Sequence, residues 1–276
     1  MSEPKVRQFA LVGHPVGHSW SPFIHGLFAR QLGIVLRYSL LDVEPAVFRR
    51  SVVDFFVNGG KGLNVTVPHK QAAYEVCTET SERAARAGAV NTIALHDETV
   101  LYGDNTDGAG LARDLRNNLG LTLTGRRILL LGAGGAVRGV LDPLLAEHPQ
   151  LLLIANRTGE RARDLAQQFR DSGPVEGCGF DEVMPEPWDL VINATSAGLN
   201  GVAPPVDTGV VGPDTTCYDM SYGREETPFQ RWAKAAGAGR THKGWGMLVE
   251  QAAESFHLWH GVRPETRSVL AALAEQ

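Results

Sequence analysis

Apolar stretches of strand length alternate with stretches of helical pattern over the first hundred residues. The run "QFALVGHP" is typical of a strand that enters a turn, and "SPFIHGLFARQLG" predicts a helix with Pro22 in its first turn and Gly33 as its end. The run "LRYSLLDV" predicts a second strand, and "EPAVFRRSVVDFFVNGG" predicts a second helix. Strands separated by helices favour parallel pairing, so we expect an α/β sheet.

The pattern changes near residue 107. The stretch "RRILLLGAGGAVRGVLDPLL" predicts a fully buried strand, a glycine turn and a helix, and the stretch from "HKGWGMLVEQ" onward is again helical. Three stretches between them each predict a buried strand whose last residues are polar: "LLLIANRT", "DLVINATSAG" and "TTCYDMSYG". Because ligands of open α/β sheets bind outside the carboxyl ends of the strands, these polar ends are candidate binding positions.

Composition and charge narrow the classes of function. The 276 residues suffice for one large domain or two of ordinary size, and 43% hydrophobic with 21% charged residues is typical of a globular protein. A net charge of -5 and a pI near 6.0 argue against non-specific binding to nucleic acid or to an anionic membrane. A small anionic substrate would therefore need locally placed donors.

The sequence also predicts where the protein works. No apolar run approaches the roughly 20 residues of a membrane span, and the start "MSEPKVRQF" lacks the pattern of a signal peptide. Cys77, Cys178 and Cys217 are scattered and have no C-x-x-C spacing, which fits reduced thiols. We therefore expect a cytoplasmic protein without a nucleic-acid or membrane partner.

The glycine turn "GAGGA", residues 132 to 136, follows a buried strand and opens a helix. Such a turn lets the backbone approach a pyrophosphate, while the helix N-terminus supplies free N–H groups and a favourable dipole. The match to G-x-G-x-x-G is incomplete because Val137 occupies the third glycine position. A tight strand-to-helix turn without a ligand is the alternative.

The end of the following strand indicates which dinucleotide would bind. About 24 residues after the turn, where an NAD-binding protein places an acid, this chain has Asn156, Arg157 and Thr158, followed by Arg161. An acid would repel a 2′-phosphate, whereas arginine binds it through a forked pair of hydrogen bonds. One arginine alone could be a solvated residue at a helix start, but the group together predicts NADP.

The stretch "GLNVTVPHKQAAY" places an amide, a hydroxyl and an ammonium at the end of a strand. Asn64 and Thr66 alternate with valines, so both polar side chains point to one face. The strand breaks at Pro68, and Lys70 follows. Taken alone, this pattern would indicate only a strand edge with a surface lysine.

Other segments carry further polar candidates. Ser19 and Ser21 in "GHSWSP" could bind a carboxylate, although Ser21 before Pro22 could equally cap a helix. Asp107 in "GDNTDG" could be a turn or cap aspartate. The remaining candidates are Asn91 in "AVNTI", Tyr222 in "YDMSYG" and Gln251, one helical turn beyond Met247.

Nine motifs, in order, resemble those of the shikimate dehydrogenase family: "GHSWSPFIH", "LNVTVPHK", "GAVNT", "GDNTDG", "LLGAGGA", "ANRT", "INATSAG", "YDMSY" and "GMLVEQAAESFHLWHG". The resemblance covers nearly the whole chain. It implies an NADP-dependent oxidoreductase that reduces 3-dehydroshikimate to shikimate in the synthesis of chorismate and aromatic amino acids. It also implies two α/β domains: a Rossmann-like NADP-binding domain over 108–239, and a discontinuous substrate domain with a parallel or mixed sheet, formed by 1–107 and the C-terminal helices of 240–276.

The resemblance further implies roles for single residues. Ser19 and Ser21 would hold the substrate carboxylate, and the rest of the substrate would contact Asn64, Thr66, Lys70, Asn91, Asp107, Tyr222 and Gln251. The cofactor would contact Gly132, Ala133, Gly134, Gly135, Ala136, Asn156, Arg157, Thr158 and Arg161, with Met220 and Gly244 near the nicotinamide and Glu82 in "TSERA" close by.

Lys70 and Asp107 are the pair that we expect to carry the chemistry. Hydride delivery to a ketone leaves negative charge on oxygen, which needs a proton or a nearby cation. The ammonium of Lys70 can supply both, and Asp107 would pair with it.

Other functions fit the sequence less well. His14 and His18, with His25 and His69 nearby, could suggest a metal site, but their loop lacks the glutamate of an HExxH motif, so we expect no metal. The strained G-x-S-x-G turn of many hydrolases is absent from the sequence. A quinate or quinate/shikimate dehydrogenase on the same scaffold and a catalytically idle NADP-binding sensor stay open, as do a monomer and a homodimer.

Overall fold

The computed structural model describes residues 6–97, 99–195 and 201–275. The chain divides into two compact units, Met1–Gly110 with Val249–Gln276, and Leu111–Leu248. Each unit contains a six-stranded sheet with helices. The expected fold class of two α/β domains is confirmed, and the sheet expected to be parallel or mixed is mixed.

The first unit has a mixed sheet in the order β2-β1-β3-β5-β6-β4. Its strands are β1 (Arg7–Gly13), β2 (Leu36–Asp42), β3 (Gly60–Val65), β4 (Glu79–Thr80), β5 (Thr92–His96) and β6 (Val100–Asp104). Strand β1 is parallel to β2 and β3, whereas β5 is antiparallel to β3 and β6. Helical connections make the first pairs parallel, and a short turn between β5 and β6 makes that pair antiparallel.

The helices of the first unit are α1 (Ser21–Gln31), α2 (Phe48–Val57), α3 (Lys70–Val76), α4 (Glu82–Ala87) and α10 (Arg267–Ala274). Two further helices, α5 (Asp107–Arg113) and α9 (Trp245–His260), each begin in one unit and end in the other. Helix α1 buries Ile24, His25 and Phe28, the spacing of one helical face.

The second unit has an all-parallel sheet in the order β12-β11-β10-β7-β8-β9. Its strands are β7 (Arg127–Leu131), β8 (Leu151–Asn156), β9 (Val175–Gly179), β10 (Leu190–Asn193), β11 (Thr216–Asp219) and β12 (Arg240–Lys243). Its helices are α6 (Gly135–Leu145), α7 (Gly159–Phe169) and α8 (Pro228–Ala235), and a π-helical turn at Asp114–Asn118 continues α5. Strand order reverses between β7 and β10, the position at which dinucleotides bind in folds of this kind.

The apolar run of β7 is explained by burial on both faces. Ile128 and Leu130 belong to one hydrophobic cluster, and Leu129 and Leu131 belong to the other. Successive residues of a strand point to opposite faces, so a strand covered on both sides needs apolar residues throughout. Of the helices in the described ranges, none combines the length and apolarity that crossing a membrane requires.

A buried histidine lies within an aromatic cluster of the first unit. The ring of His25 stacks on Tyr38 at a centroid distance of 4.4 Å and lies 5.3 Å from Trp259. Neither ring nitrogen of His25 has a hydrogen-bond partner among the described residues. Burial lowers the pKa of His25 from 6.5 to about 3, against a weaker opposing effect of the nearby Asn64 side chain.

We expect acid to destabilise the first unit through this histidine. Below pH 6.5 the unfolded chain binds a proton at His25 while the folded chain does not, so the stabilising contribution is present above 6.5 and is lost as the pH falls towards 3. The loss should be roughly 1.5–2 kcal/mol by about pH 5. Urea unfolding at several pH values would measure it.

His25→Phe keeps an aromatic ring in the cluster but removes the titrating group. The free energy of unfolding of this variant should depend less on pH. Part of the pH dependence that is left should come from His260, because burial lowers the pKa of His260 to about 4. His257→Phe, at an exposed position of α9, should keep the full dependence. An unchanged slope in His25→Phe would contradict the assignment.

Candidate active site

The carboxyl end of β3 is where polar residues of the first unit gather. Strand β3 ends one residue after Asn64, which pairs with Thr92 at the start of β5, and Thr92 pairs with Asp104 at the end of β6. Because β5 is antiparallel to both neighbours, its first residue lies at the same sheet edge as the last residues of β3 and β6. The segments that carry Asn91 and Asp107 therefore meet beside Asn64.

Lys70 is the first residue of α3 and forms an ion pair at this edge. It follows a turn in which the N–H of His69 donates to the carbonyl of Thr66 (2.9 Å), while Thr66 N–H donates to Val12 at 2.9 Å. Lys70 Nζ lies 2.5 Å from Asp107 Oδ2, and the two side chains are only 17% and 8% exposed. The fold thus brings together two residues that are 37 positions apart.

The orientation of Asp107 is fixed from two sides. Its Oδ1 accepts a hydrogen bond from the Asn91 amide at 2.8 Å, while Oδ2 faces Lys70. Its N–H donates to Asn105 Oδ1 at 3.2 Å, and the Asn105 amide donates to the Ala89 carbonyl at 3.0 Å. Each carboxylate oxygen of Asp107 therefore has a defined partner, so the ammonium of Lys70 is held in one position.

Asp104 anchors the loop that leads to Asp107. Its carboxylate accepts hydrogen bonds from Arg83 at 2.7 and 2.5 Å, from Ser81 at 2.5 Å and from the N–H of Asn105 at 2.7 Å. Burial alone would raise the pKa of Asp104, but these donors hold it below its usual value. The charged carboxylate therefore ties α4 to the loop.

Hydroxyl groups that the sequence analysis did not single out hold Asn64. Its Oδ1 accepts from Tyr38 at 2.7 Å, and its Nδ2 donates to Ser255 at 2.9 Å and to Thr92 at 3.2 Å. These bonds use both amide hydrogens but only one of the two lone pairs of the carbonyl oxygen. Asn64 can therefore still accept one hydrogen bond from a ligand.

Asn91 is held in the same way. Its Oδ1 accepts from the N–H of Thr106 at 2.8 Å, and its Nδ2 lies 2.9 Å from the Thr106 hydroxyl and 3.4 Å from Gln251 Oε1. Thr106 stands in the motif that contains Asp107, and Ser255 lies four residues after Gln251, on the same helical face. Thr106 and Ser255 could therefore have been identified from their spacing in the sequence.

Ser19 and Ser21 lie together at the start of α1. Ser19 Oγ donates to Ser21 Oγ at 3.1 Å and accepts from the N–H of Ser21 at 3.2 Å. Trp20 occupies the cap position and Ser21 is the first helical residue, so the alternative of Ser21 as helix cap is wrong. Two hydroxyls beside a helix N-terminus suit a carboxylate.

The loop after β1, which carries Ser19, packs against the turn after β3, which carries Thr66. The N–H of His14 donates to the Val67 carbonyl at 3.0 Å. A Cβ at Gly13 would clash with Thr66 Cγ2 and would lie 2.6 Å from Val16 Cγ1, so the close packing here favours glycine. The two segments are thereby held side by side.

Glu82, His14 and His69 form no side-chain hydrogen bond with Lys70 or Asp107 in the described part of the chain. Glu82, the first residue of α4, is exposed and forms no hydrogen bond or ion pair with any described residue. His14 contacts Asp42 at 2.5 Å, and His69 Nε2 bonds the Val43 carbonyl at 2.7 Å. Within the described ranges, no group of three or more potential ligands is arranged to hold a metal ion.

The glycine turn of the second unit leaves space for phosphates. Gly132 has a φ of +116°, which favours glycine, and its N–H donates to the Ala155 carbonyl at 2.7 Å. A Cβ at Gly134 or Gly135 would meet nothing within 4 Å, so the first turn of α6 is open. Val137 is buried in the core, which explains why the third glycine is dispensable here. The open turn from Gly132 to the start of α6 fits a pyrophosphate.

The end of β8 presents two arginines. Asn156 ends the strand, and its amide donates to the Thr158 carbonyl at 3.0 Å. Arg157 and Arg161 are exposed and form no ion pair with a described residue. Unpaired guanidinium groups at this position fit the 2′-phosphate of NADP.

Met220, Tyr222 and Gly244 lie around one loop of the second unit. The N–H of Met220 donates to the Asn193 carbonyl at 2.9 Å, and the N–H of Gly244 donates to the Ser221 carbonyl at 2.9 Å. The Tyr222 ring lies 5.2 Å from the Trp245 ring. The motif "INATSAG" lies only partly in this description, because residues 196–200 are outside the described residues.

Three family models match the chain. The model for the shikimate dehydrogenase substrate binding domain matches residues 11–93, that for shikimate / quinate 5-dehydrogenase matches residues 114–202, and that for the shikimate 5'-dehydrogenase C-terminal domain matches residues 244–274. The first and last of these matches lie in the N- and C-terminal parts of the chain.

Relatives and solved structures agree with these matches. A shikimate dehydrogenase (NADP(+)) of Methylococcus capsulatus is 52% identical over 273 residues, which cover 99% of this chain and 97% of that protein. The crystal structure of an Ael1 enzyme from Pseudomonas putida is similar with a TM-score of 0.90, 42% identity and coverage of 97% and 98%. Shikimate 5-dehydrogenase from Thermus thermophilus, in complex with NADP(H) and shikimate, is similar with a TM-score of 0.85, 32% identity and coverage of 98% and 99%.

Proposed function

The chain belongs to the shikimate dehydrogenase family, and we propose that it catalyses the reversible NADPH-dependent reduction of 3-dehydroshikimate to shikimate. This places it in the synthesis of chorismate and aromatic amino acids. The observation that carries the proposal is the shielded Lys70–Asp107 pair, set among amides and hydroxyls at one sheet edge. A polyhydroxy acid needs many neutral hydrogen bonds and few charges.

Lys70 supplies the proton and Asp107 positions it. NADPH, when bound, supplies the hydride that reduces the carbonyl carbon. The electron pair of the carbonyl double bond moves to oxygen, and the ammonium of Lys70 stabilises that charge and transfers a proton to it. In oxidation, the neutral lysine accepts the hydroxyl proton.

The remaining polar groups bind the substrate. Ser19 and Ser21 bind the carboxylate, supported by their place at the start of α1. The hydroxyls are bound by Asn64, Thr66, Asn91, Gln251 and Tyr222. Asn64 Oδ1 accepts a hydrogen bond from one substrate hydroxyl through its second lone pair.

The cofactor is held by the second unit. The residues that would hold the pyrophosphate, at the N-terminal turn of α6, are Gly132, Ala133, Gly134, Gly135 and Ala136. Asn156, Arg157, Thr158 and Arg161 bind the adenosine ribose and its phosphate. Met220 and Gly244 would contact the nicotinamide, and Glu82 would lie near the cofactor.

The protein acts in the cytoplasm as a monomer or homodimer, without a nucleic-acid or membrane partner. Cys77, Cys178 and Cys217 are free thiols, which supports a reducing compartment. Burial raises the pKa of Cys77 and Cys217 to about 12, so both stay protonated and inert.

The test is a turnover assay on the purified chain. Shikimate with NADP should produce NADPH, read by its absorbance, and 3-dehydroshikimate should consume it. Binding of NADP without turnover would instead indicate the idle sensor. The relatives' names favour the enzyme.

We expect shikimate to be oxidised with a kcat/KM at least about tenfold above that of quinate. Quinate carries an additional hydroxyl at the carbon that bears the carboxylate, and a closely fitted site disfavours such a group by roughly 1–3 kcal/mol. Parallel assays with both substrates measure the ratio. Comparable values would assign the chain to the quinate/shikimate branch.

A further inference from the structure

Lys243, which the proposed mechanism does not use, binds three successive backbone carbonyls. It is the last residue of the edge strand β12, and its Nζ donates to the carbonyls of Gly223, Arg224 and Glu225 at 2.8, 3.1 and 3.2 Å. Within the described residues Lys243 forms no ion pair. Its charge is therefore directed at the backbone of the loop between β11 and α8.

This arrangement needs a cation with several donors. Three carbonyl dipoles that converge on one point repel one another, and a positive charge at that point removes the repulsion. An ammonium offers three hydrogens, one for each carbonyl. A neutral side chain of the same length lacks them, and the planar guanidinium of arginine presents its donors in a different geometry.

The ends of the same loop are fixed by Asp219. This buried carboxylate accepts from the N–H of Ser221 at 3.0 Å and from the Thr227 hydroxyl at 2.6 Å. Thr227 in turn caps α8 by accepting from the N–H of Gln230 at 3.1 Å. In the middle of the loop, the Gly223 carbonyl accepts from Lys243 and also from the indole N–H of Trp245 at 3.3 Å.

We propose that Lys243 is a positioning residue, a half-buried cation that shapes the loop of residues 221–226 and thereby holds Tyr222, which the proposed function assigns to substrate binding. The inference rests on the proposed function for the role of Tyr222. Lys243 binds the carbonyls of the three residues that follow Tyr222, so it holds the backbone directly after Tyr222. Substrate binding should therefore depend on Lys243, and NADP binding should depend on it much less.

The test uses the full chain with Lys243→Ala. We expect the shikimate KM to rise about tenfold, equivalent to about 1.4 kcal/mol, with the NADP KM changed less than about twofold. Propylammonium, which replaces the missing alkyl ammonium, should restore most of the loss. Tetramethylammonium at the same concentration carries the charge but no N–H donors and should not restore it.

Two further variants test whether the effect is specific to the ammonium group of Lys243. Lys243→Met keeps the alkyl chain and should show the same rise in KM, while Lys61→Ala removes an exposed lysine of β3 and should not. A normal shikimate KM in both Lys243 variants would overturn the inference. Equal restoration by both ammonium salts would also overturn it, because the effect would then be one of ionic strength.

Hydrogen exchange separates this inference from the proposed function. Amides of residues 221–226 should exchange faster in Lys243→Ala than in the unaltered chain, and propylammonium should slow them again. This readout needs no turnover, so it tests the loop even if the unaltered chain fails to oxidise shikimate. Exchange equal to that of the unaltered chain would refute the role of Lys243.

Discussion

Replacing Lys70 by alanine should lower kcat for 3-dehydroshikimate reduction at least about a hundredfold, the lower end of the effect of a general acid. The ammonium is the charged donor that Asp107 and Asn91 hold at the sheet edge. Its loss removes both the proton and the charge that the developing oxyanion needs. Substrate KM should change much less, because the carboxylate and hydroxyl contacts stay. Steady-state kinetics in both directions measure the two effects.

The partner residue provides the decisive control. Asp107→Ala should also reduce kcat, and the double variant should lose less than the product of the two single losses, because the pair acts as a unit. Lys61→Ala tests for a general effect of removing a lysine and should be near normal. A Lys70→Ala enzyme with near-normal kcat and a greatly raised KM would make Lys70 a binding residue.

Elements with a strong apolar pattern were predictable from the sequence. The run that became β7 is buried on both faces, so each of its residues is constrained by packing. The glycine turn at its end was recognisable because the geometry there requires glycine at Gly132. In such elements local pattern and tertiary packing specify the same structure.

The edge strand β2 was predicted, but the edge strands β9 and β12 were not, because their sequences lack that pattern. Strand β12 reads "RTHK" and is partly exposed, and β9 contains two glycines. Each becomes a strand by pairing with a neighbour, β11 or β8, and not through its own propensity. Residues 242–243 were expected to be helical, and this prediction is wrong. They are the end of β12, because the strand forms by pairing with β11.

The polar site was predictable only in part. Motif resemblance pointed to Lys70 and Asp107, and the structure places them 2.5 Å apart. The hydroxyls of Tyr38 and Thr92 were missed, since a lone Tyr or Thr in a strand has no spacing that distinguishes a network from ordinary packing. Their importance arises from contacts between segments that are distant in sequence, which no local pattern encodes.

Replacing Arg157 by alanine should weaken NADP binding about ten- to a hundredfold and NAD binding far less. A charge-assisted hydrogen bond to the 2′-phosphate is worth roughly 1.5–3 kcal/mol, and NAD has no phosphate at that position. Binding titrations with both cofactors give the two ratios. Arg163→Ala is the matched control, because Arg163 lies on the neighbouring helix α7 but is already paired with Glu182 at 2.5 Å, so its loss should affect neither cofactor. Equal losses for NADP and NAD in Arg157→Ala would show that this guanidinium does not recognise the phosphate, and the preference for NADP would then have to come from Arg161.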